Sequence, residues 1–219
     1  MTSAAALGMR VHSGWAALVA LSGPDDSPCL IDRRILPLAN PNTAGSKQPY
    51  HAVRRVPFPA AQAFLAQAVE ETNRLASRGL MTTIEELQRR GFNVAGCGLP
   101  LKRGRTLPSL ERILASHAFI HTAEGQLFRH ALAQAAAECD LPVTDLEERE
   151  LLSQAAVEIG SSIIDIERQL AAMGRTLGPP WREDQRYATL AAWIALAATR
   201  KCHRCTPSRR IERYSSGHL

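Results

Sequence analysis

Residues 7–38 read LGMRVHSGWAALVALSGPDDSPCLIDRRILPL, and how they fold decides the architecture. The run from Leu7 to Ser22 is small and apolar, broken at Ser13-Gly14. Two short strands joined by a tight turn fit it, over about 7–12 and 14–21. Gly23-Pro24-Asp25-Asp26-Ser27-Pro28 is a second turn cluster, leading to a third strand from Cys29 to Leu38. Three strands joined by short turns predict an antiparallel meander, because antiparallel neighbours need only a tight connection.

Beyond the polar loop Asn40 to Gln48 the period changes. Phe64, Leu65, Ala68, Val69, Thr72 and Leu75 follow helical spacing, and Gly79 is expected to end that helix. Thr83-Ile84-Glu85-Glu86 has a capping-box pattern and starts a short helix that Gly91 stops. Phe92 to Leu99 reads as a buried strand, followed by the basic loop Lys102-Arg103-Gly104-Arg105. Leu107 to Glu138 reads as one long helix, Leu141 to Leu146 as a short strand, and three helices follow over about 148–159, 161–173 and 182–199. Strands separated by helices imply parallel additions to the opening meander, so the expected fold is α/β with a mixed five-stranded sheet flanked by helices.

The chain has 219 residues and a formal charge of +5. From Arg200 onward six basic residues face one acid, so residues 1–199 balance and the excess lies in the tail. We expect one domain over 1–199 and a basic, flexible tail over 200–219 that binds phosphate backbones without sequence preference, if at all. No apolar run reaches the ~18–20 residues of a membrane span, so no membrane partner is expected. Met1 to Leu7 lacks the form of a secretory leader. Five scattered cysteines argue for a reducing compartment, and a cytoplasmic location is expected. Cys202-His203-Arg204-Cys205 has the gap of half a zinc knuckle but no second pair, so Cys202 and Cys205 read as incidental. A P-loop, a dinucleotide glycine pattern and a nucleophile elbow are all absent from the sequence.

The element order resembles the ribonuclease-H-like fold, and within it the Holliday-junction resolvase branch. Leu7 to Ala16 resembles that family's first strand and glycine bend, and Phe92 to Leu99 its fourth strand. His121 to Glu147 resembles its helix and fifth strand, and Asp184-Gln185-Arg186-Tyr187-Ala188 the opening of its last helix. The resemblance implies a site of about four carboxylates holding two divalent ions for phosphodiester hydrolysis. Here the first-strand aspartate falls on Arg10, the fourth-strand acid near Cys97 or Gly98, and the second acid of the last helix on Tyr187. Only Asp184 remains. Arg10 would repel a cation, and could hold a phosphate or pair with Asp184.

A second constellation lies on the long helix. His117, His121 and Glu124 stand at i, i+4 and i+7, one stripe shared with Leu110, Ile113 and Phe128 and therefore expected to face the core. Arg112, Gln126, Arg129 and His130 are expected to point away from it. His117, His121 and Glu124 are candidate ligands for one divalent metal (Zn, Mn or Mg), with Asp184 completing the set. Arg10, His12, Lys102, Arg103 and Arg105 are candidate ligand-binding residues, since ligands of such sheets gather at strand ends. The expected function is noncatalytic: binding an anion, a nucleotide or nucleic acid, or serving in assembly. The alternative is a metal-dependent phosphodiester hydrolase with a rearranged site, Glu124 and Asp184 acting as its catalytic carboxylates. Phe119 on the outer face of the helix marks a surface that could pair two copies as a homodimer.

Overall fold

The computed structural model describes residues 2–101 and 106–205, with the side chains of 202–205 excepted. Three strands open the chain, β1 (Ser3–His12), β2 (Trp15–Ser22) and β3 (Cys29–Pro37), and they form the expected antiparallel meander. Helix α1 (Pro49–Ala52) and the long α2 (Phe58–Arg89) lead to β4 (Phe92–Leu99). Then come α3 (Leu110–Leu114), α4 (His117–Glu138), β5 (Val143–Asp145), α5 (Leu151–Ile159), α6 (Ile163–Leu177) and α7 (Glu183–Cys205). The sheet order is β3-β2-β1-β4-β5, with β4 parallel to β1 and β5 parallel to β4. It is the mixed five-stranded sheet that the sequence implies.

Alternation along β1 sorts the molecule into two layers. Leu7, Met9 and Val11 face a core built with α2 and α4, through Leu80, Leu87, Phe128 and Leu132. Ala6 faces a second core that holds α5, α6 and α7, with Trp193 fully buried. Gly8, Arg10 and His12 share that second face by parity. Helix α7 lies so close to the sheet that a Cβ on Gly8 would stand 2.0 Å from the Ala188 carbonyl oxygen. One on Gly98 would stand 2.2 Å from that of Ala191. Only glycine permits this approach.

Several boundaries differ from expectation for tertiary reasons. Gly79 does not end a helix; α2 continues through it, and Leu36 packs into the space left by the missing side chain, 3.3 Å from where a Cβ would be. Thr83 starts no capping box. Its hydroxyl donates to the Gly79 carbonyl at 2.7 Å, one turn back along the same helix. The single helix expected over 107–138 is two, because Ser116 is extended and its side chain caps α4 by accepting from the Phe119 N–H. Leu110 and Ile113 therefore do not continue the α4 stripe. The last helix also runs past 199. Arg200 pairs with Asp25 at 2.6 Å and Lys201 with Glu158 at 2.8 Å, so the basic segment is anchored to the body at its start.

Candidate functional site

Parity places Arg10 and His12 at the carboxyl end of β1, on the α7 side, and there the first turn of α7 meets them. The Arg10 guanidinium lies 3.1 Å from Asp184 Oδ1, 3.1 Å from Glu148 Oε1 and 3.4 Å from Glu183 Oε1. It also stacks 4.3 Å above the Tyr187 ring. The side chain is only 15% exposed. Burial works against its charge, but the hydrogen bond to Glu183 and the fields of Glu148, Glu183 and Asp184 prevail, and its pKa is raised. His12 Nε2 sits 2.7 Å from Asp184 Oδ1, with its ring stacked on Trp15 at 4.3 Å. Glu183 and Asp184 gain further from their place in the first turn of α7, where the helix dipole favours negative charge.

Beside this cluster is a cleft of about 360 Å³ lined by Val11, Pro100, Arg129, Leu146, Glu148 and Arg149, among others. Arg129, expected to point away from the core, is half-buried. Its guanidinium folds back over Gly125, 3.0 Å from where a Cβ would be. Burial pushes its pKa down and the field of Glu148 only partly offsets this. Among the described residues no carboxylate stands within ion-pair distance of it. A guanidinium has five donors, so Arg129 is equipped to accept a phosphate from outside the protein. Lys102, Arg103 and Arg105, the basic loop expected near here, lie outside the described residues, as does the chain beyond 205.

The histidines form a different group on the other face of the sheet. His117 and His121 are exposed, one turn apart on α4; of the three polar residues expected to face inward only Glu124 is buried, at 2%. The third member is His51 of α1, which the sequence did not single out. His51, His117 and His121 each present a ligand atom, all within 4.8 Å of one another. Their rings meet edge to face, with centroids 4.3–5.4 Å apart. Glu124 stands behind them: its Oε1 accepts from the His51 backbone N–H at 3.1 Å and lies 3.1 Å from His51 Nδ1. The ring nitrogen is not aligned for a hydrogen bond and remains buried without one. The His117 pKa is lowered, first by His121, then by burial, His51 and Arg54.

Asp184 therefore does not complete a set with His117, His121 and Glu124. It serves Arg10 and His12 on the α7 face, while the histidines stand with α4 on the other. The strand alternation that aims Arg10 at α7 rules out one joint site. Glu148, to which the sequence reading assigns no role, is a partner of Arg10, and only the folded topology reveals this. His51 likewise carried no spacing signal, since it is 66 residues from His117 in sequence. Cys97, at the expected position of the fourth-strand acid, is fully buried, and burial pushes its thiol up to about 12.

No protein-family model matches the sequence, and no curated protein matches it either. Solved structures do. The Thermus thermophilus RuvC in complex with Holliday junction substrate aligns over 90% of this chain and 95% of its own, with a TM-score of 0.51 at 10% identity. A Thermus thermophilus RuvC structure aligns over 90% of this chain and 96% of its own, with a TM-score of 0.46 at 11% identity. The chain has the ribonuclease-H-like fold seen in RuvC.

Proposed function

We propose that the protein binds nucleic acid through its phosphate backbone without cutting it. The observation that carries this reading is Arg10, held by Glu148, Glu183 and Asp184 at the carboxyl end of β1. The resemblance sets a metal-binding aspartate at that position. A guanidinium already neutralises the carboxylates that would otherwise attract a divalent cation, and hard cations need such oxygens free. Without the ion, the charge developing on a scissile phosphate has no counterpart there. Arg129 in the adjoining cleft, with no ion-pair partner among the described residues, offers donors to a phosphate instead.

The fold likeness to a RuvC bound to a Holliday junction makes branched DNA the first substrate to try. The reading is tested by incubating the protein with four-way-junction and linear duplex DNA, with Mg²⁺ or Mn²⁺ supplied. Salt-sensitive retention without cleavage is expected. Metal-dependent cleavage that disappears in Asp184→Asn would overturn the noncatalytic reading, and absence of retention at low salt would remove the nucleic-acid partner. The hydrolase alternative has less support, because its proposed ligands His117, His121 and Asp184 stand on opposite faces of the sheet. A homodimer through the Phe119 surface stands as a further part of the reading; Phe119 is 37% exposed.

A further inference from the structure

We infer that His51, His117 and His121 form a zinc site, with Glu124 as the carboxylate that positions His51. The site lies on the α4 face and is independent of the nucleic-acid reading, which rests on Arg10 and Arg129.

Three observations converge on it. The first is the donor set. Imidazole suits zinc and its neighbours in the transition series rather than Mg²⁺, which prefers oxygen. Three imidazoles with ligand atoms within 4.8 Å need only small side-chain movements to reach the N···N spacing of about 3.4 Å around a tetrahedral ion. His117 and His121 are exposed and free to make them. The second is ring orientation. All three rings meet edge to face at interplanar angles of 61–88°, so none lies flat on another. Neither the His117 nor the His121 side chain makes a protein hydrogen bond among the described residues.

The third observation is Glu124. A carboxylate 2% exposed is costly unless its charge is compensated. Its hydrogen bond comes from the His51 backbone, and its nearest positive candidate is the His51 ring. Nδ1 lies 3.1 Å from Glu124 Oε1, so a small ring rotation that aligns this hydrogen bond leaves Nε2 to ligate. A carboxylate behind a ligating imidazole fixes the tautomer and raises its basicity, and the ion in turn compensates the buried charge. The burial of Glu124 beside a half-buried histidine is then explained. Because His117 and His121 are exposed, the fourth position opens to solvent. Exposed Arg54, close enough to act on His117, would favour an anionic ligand there.

The full chain, stripped of metal and carrying Cys202→Ser and Cys205→Ser to remove the competing thiols of the tail, is titrated with Co²⁺ as the spectroscopic stand-in for zinc. One equivalent should bind, with the visible absorption of a tetrahedral or five-coordinate centre, and zinc should displace it. His117→Ala/His121→Ala should abolish the absorption while keeping a cooperative melt, and Glu124→Gln should weaken affinity 10- to 100-fold. A chain that binds no Co²⁺ under these conditions overturns the assignment. So does binding that persists in the well-folded double-histidine variant. If the double variant fails to fold, His51→Gln replaces it: lost absorption supports the site, and retained absorption overturns it.

Discussion

At the scale of single residues, Arg10 carries most of the proposed reading, because the resemblance sets a metal-binding aspartate at its position. Its partners Glu148 and Glu183 are half-exposed or more, so the ion pairs themselves contribute modestly to stability, about 1–2 kcal/mol together. Their larger effect is on what else can bind. Arg10→Asp removes the internal cation and adds a fourth carboxylate to Glu148, Glu183 and Asp184. We expect that variant to be less stable than wild type in chelator and to gain several degrees in melting temperature when Mn²⁺ is added. Wild type should show no such gain, and equal responses from the two proteins would refute the idea that Arg10 stands where an ion would. Arg129 makes a separate prediction. If it contacts one phosphate, Arg129→Met should weaken DNA retention alike for all sequences and reduce the log–log salt slope by about 1. The place of Arg10 in the first strand was legible in the sequence, because alternation is a property of adjacent residues. Its partner Glu148 was not, since nothing local marks a residue 138 positions away as a neighbour.

At the scale of elements, what was legible depends on whether the deciding force is local. Strands β1 to β3 announce themselves because alternation and Gly/Asp/Pro turns are properties of adjacent residues. Gly79 misled for the opposite reason. Its missing side chain accommodates Leu36 from β3, a tertiary demand that local rules read as a helix stop. The break between α3 and α4 turns on one serine cap, which a long apolar periodicity conceals. The close seat of α7 gives the sharpest test of element packing. Gly8→Ala and Gly98→Ala each drive a Cβ into α7 backbone that cannot rotate aside, and each should cost about 3 kcal/mol in urea unfolding, the upper end of ordinary overpacking. A loss below about 1 kcal/mol would mean α7 sits farther from the sheet. The tie between β3 and α2 is electrostatic. Arg34 joins Asp32 at 2.6 Å to Glu86 at 2.7 Å, and its hydrogen bond lowers the Glu86 pKa below 4.5. A depressed carboxylate stabilises the fold above its unfolded value and loses that contribution as pH falls through the folded one. Stability should therefore decline as pH drops below about 4.5, and Arg34→Met should make that decline shallower in chemical unfolding.

At the scale of the whole molecule, the sheet separates two chemistries. On one face Arg10 is held among Glu148, Glu183 and Asp184. On the other three histidines gather around a place that an ion would fit. The sequence reading gathered Arg10, His117, His121, Glu124 and Asp184 into one pocket and missed His51, because periodicity says which residues share a helix face and nothing about which side of the sheet that helix packs on. Net charge misleads in a similar way. The excess of +5 belongs arithmetically to residues 200–219, yet Arg200 and Lys201 are engaged with Asp25 and Glu158 and are poorly placed to serve a nucleic acid. Arg204 follows, and farther on stand three more arginines, Arg209, Arg210 and Arg213. Two modes of DNA retention then differ in their salt dependence. If the tail dominates, replacing those three arginines with serine in the full chain should flatten the log–log salt slope by nearly 3 and leave little retention, since each phosphate contact contributes about 0.9. If the cleft beside Arg10 dominates, the same replacement should change the slope by less than about 1, and Arg129→Met should account for the rest. The cleft is the expected answer, because only a site fixed by the fold would distinguish a four-way junction from a linear duplex. A tail that binds phosphates alone has no means of reading that shape. A preference for junctions that survives the triple replacement and is lost in Arg129→Met would locate recognition in the folded body.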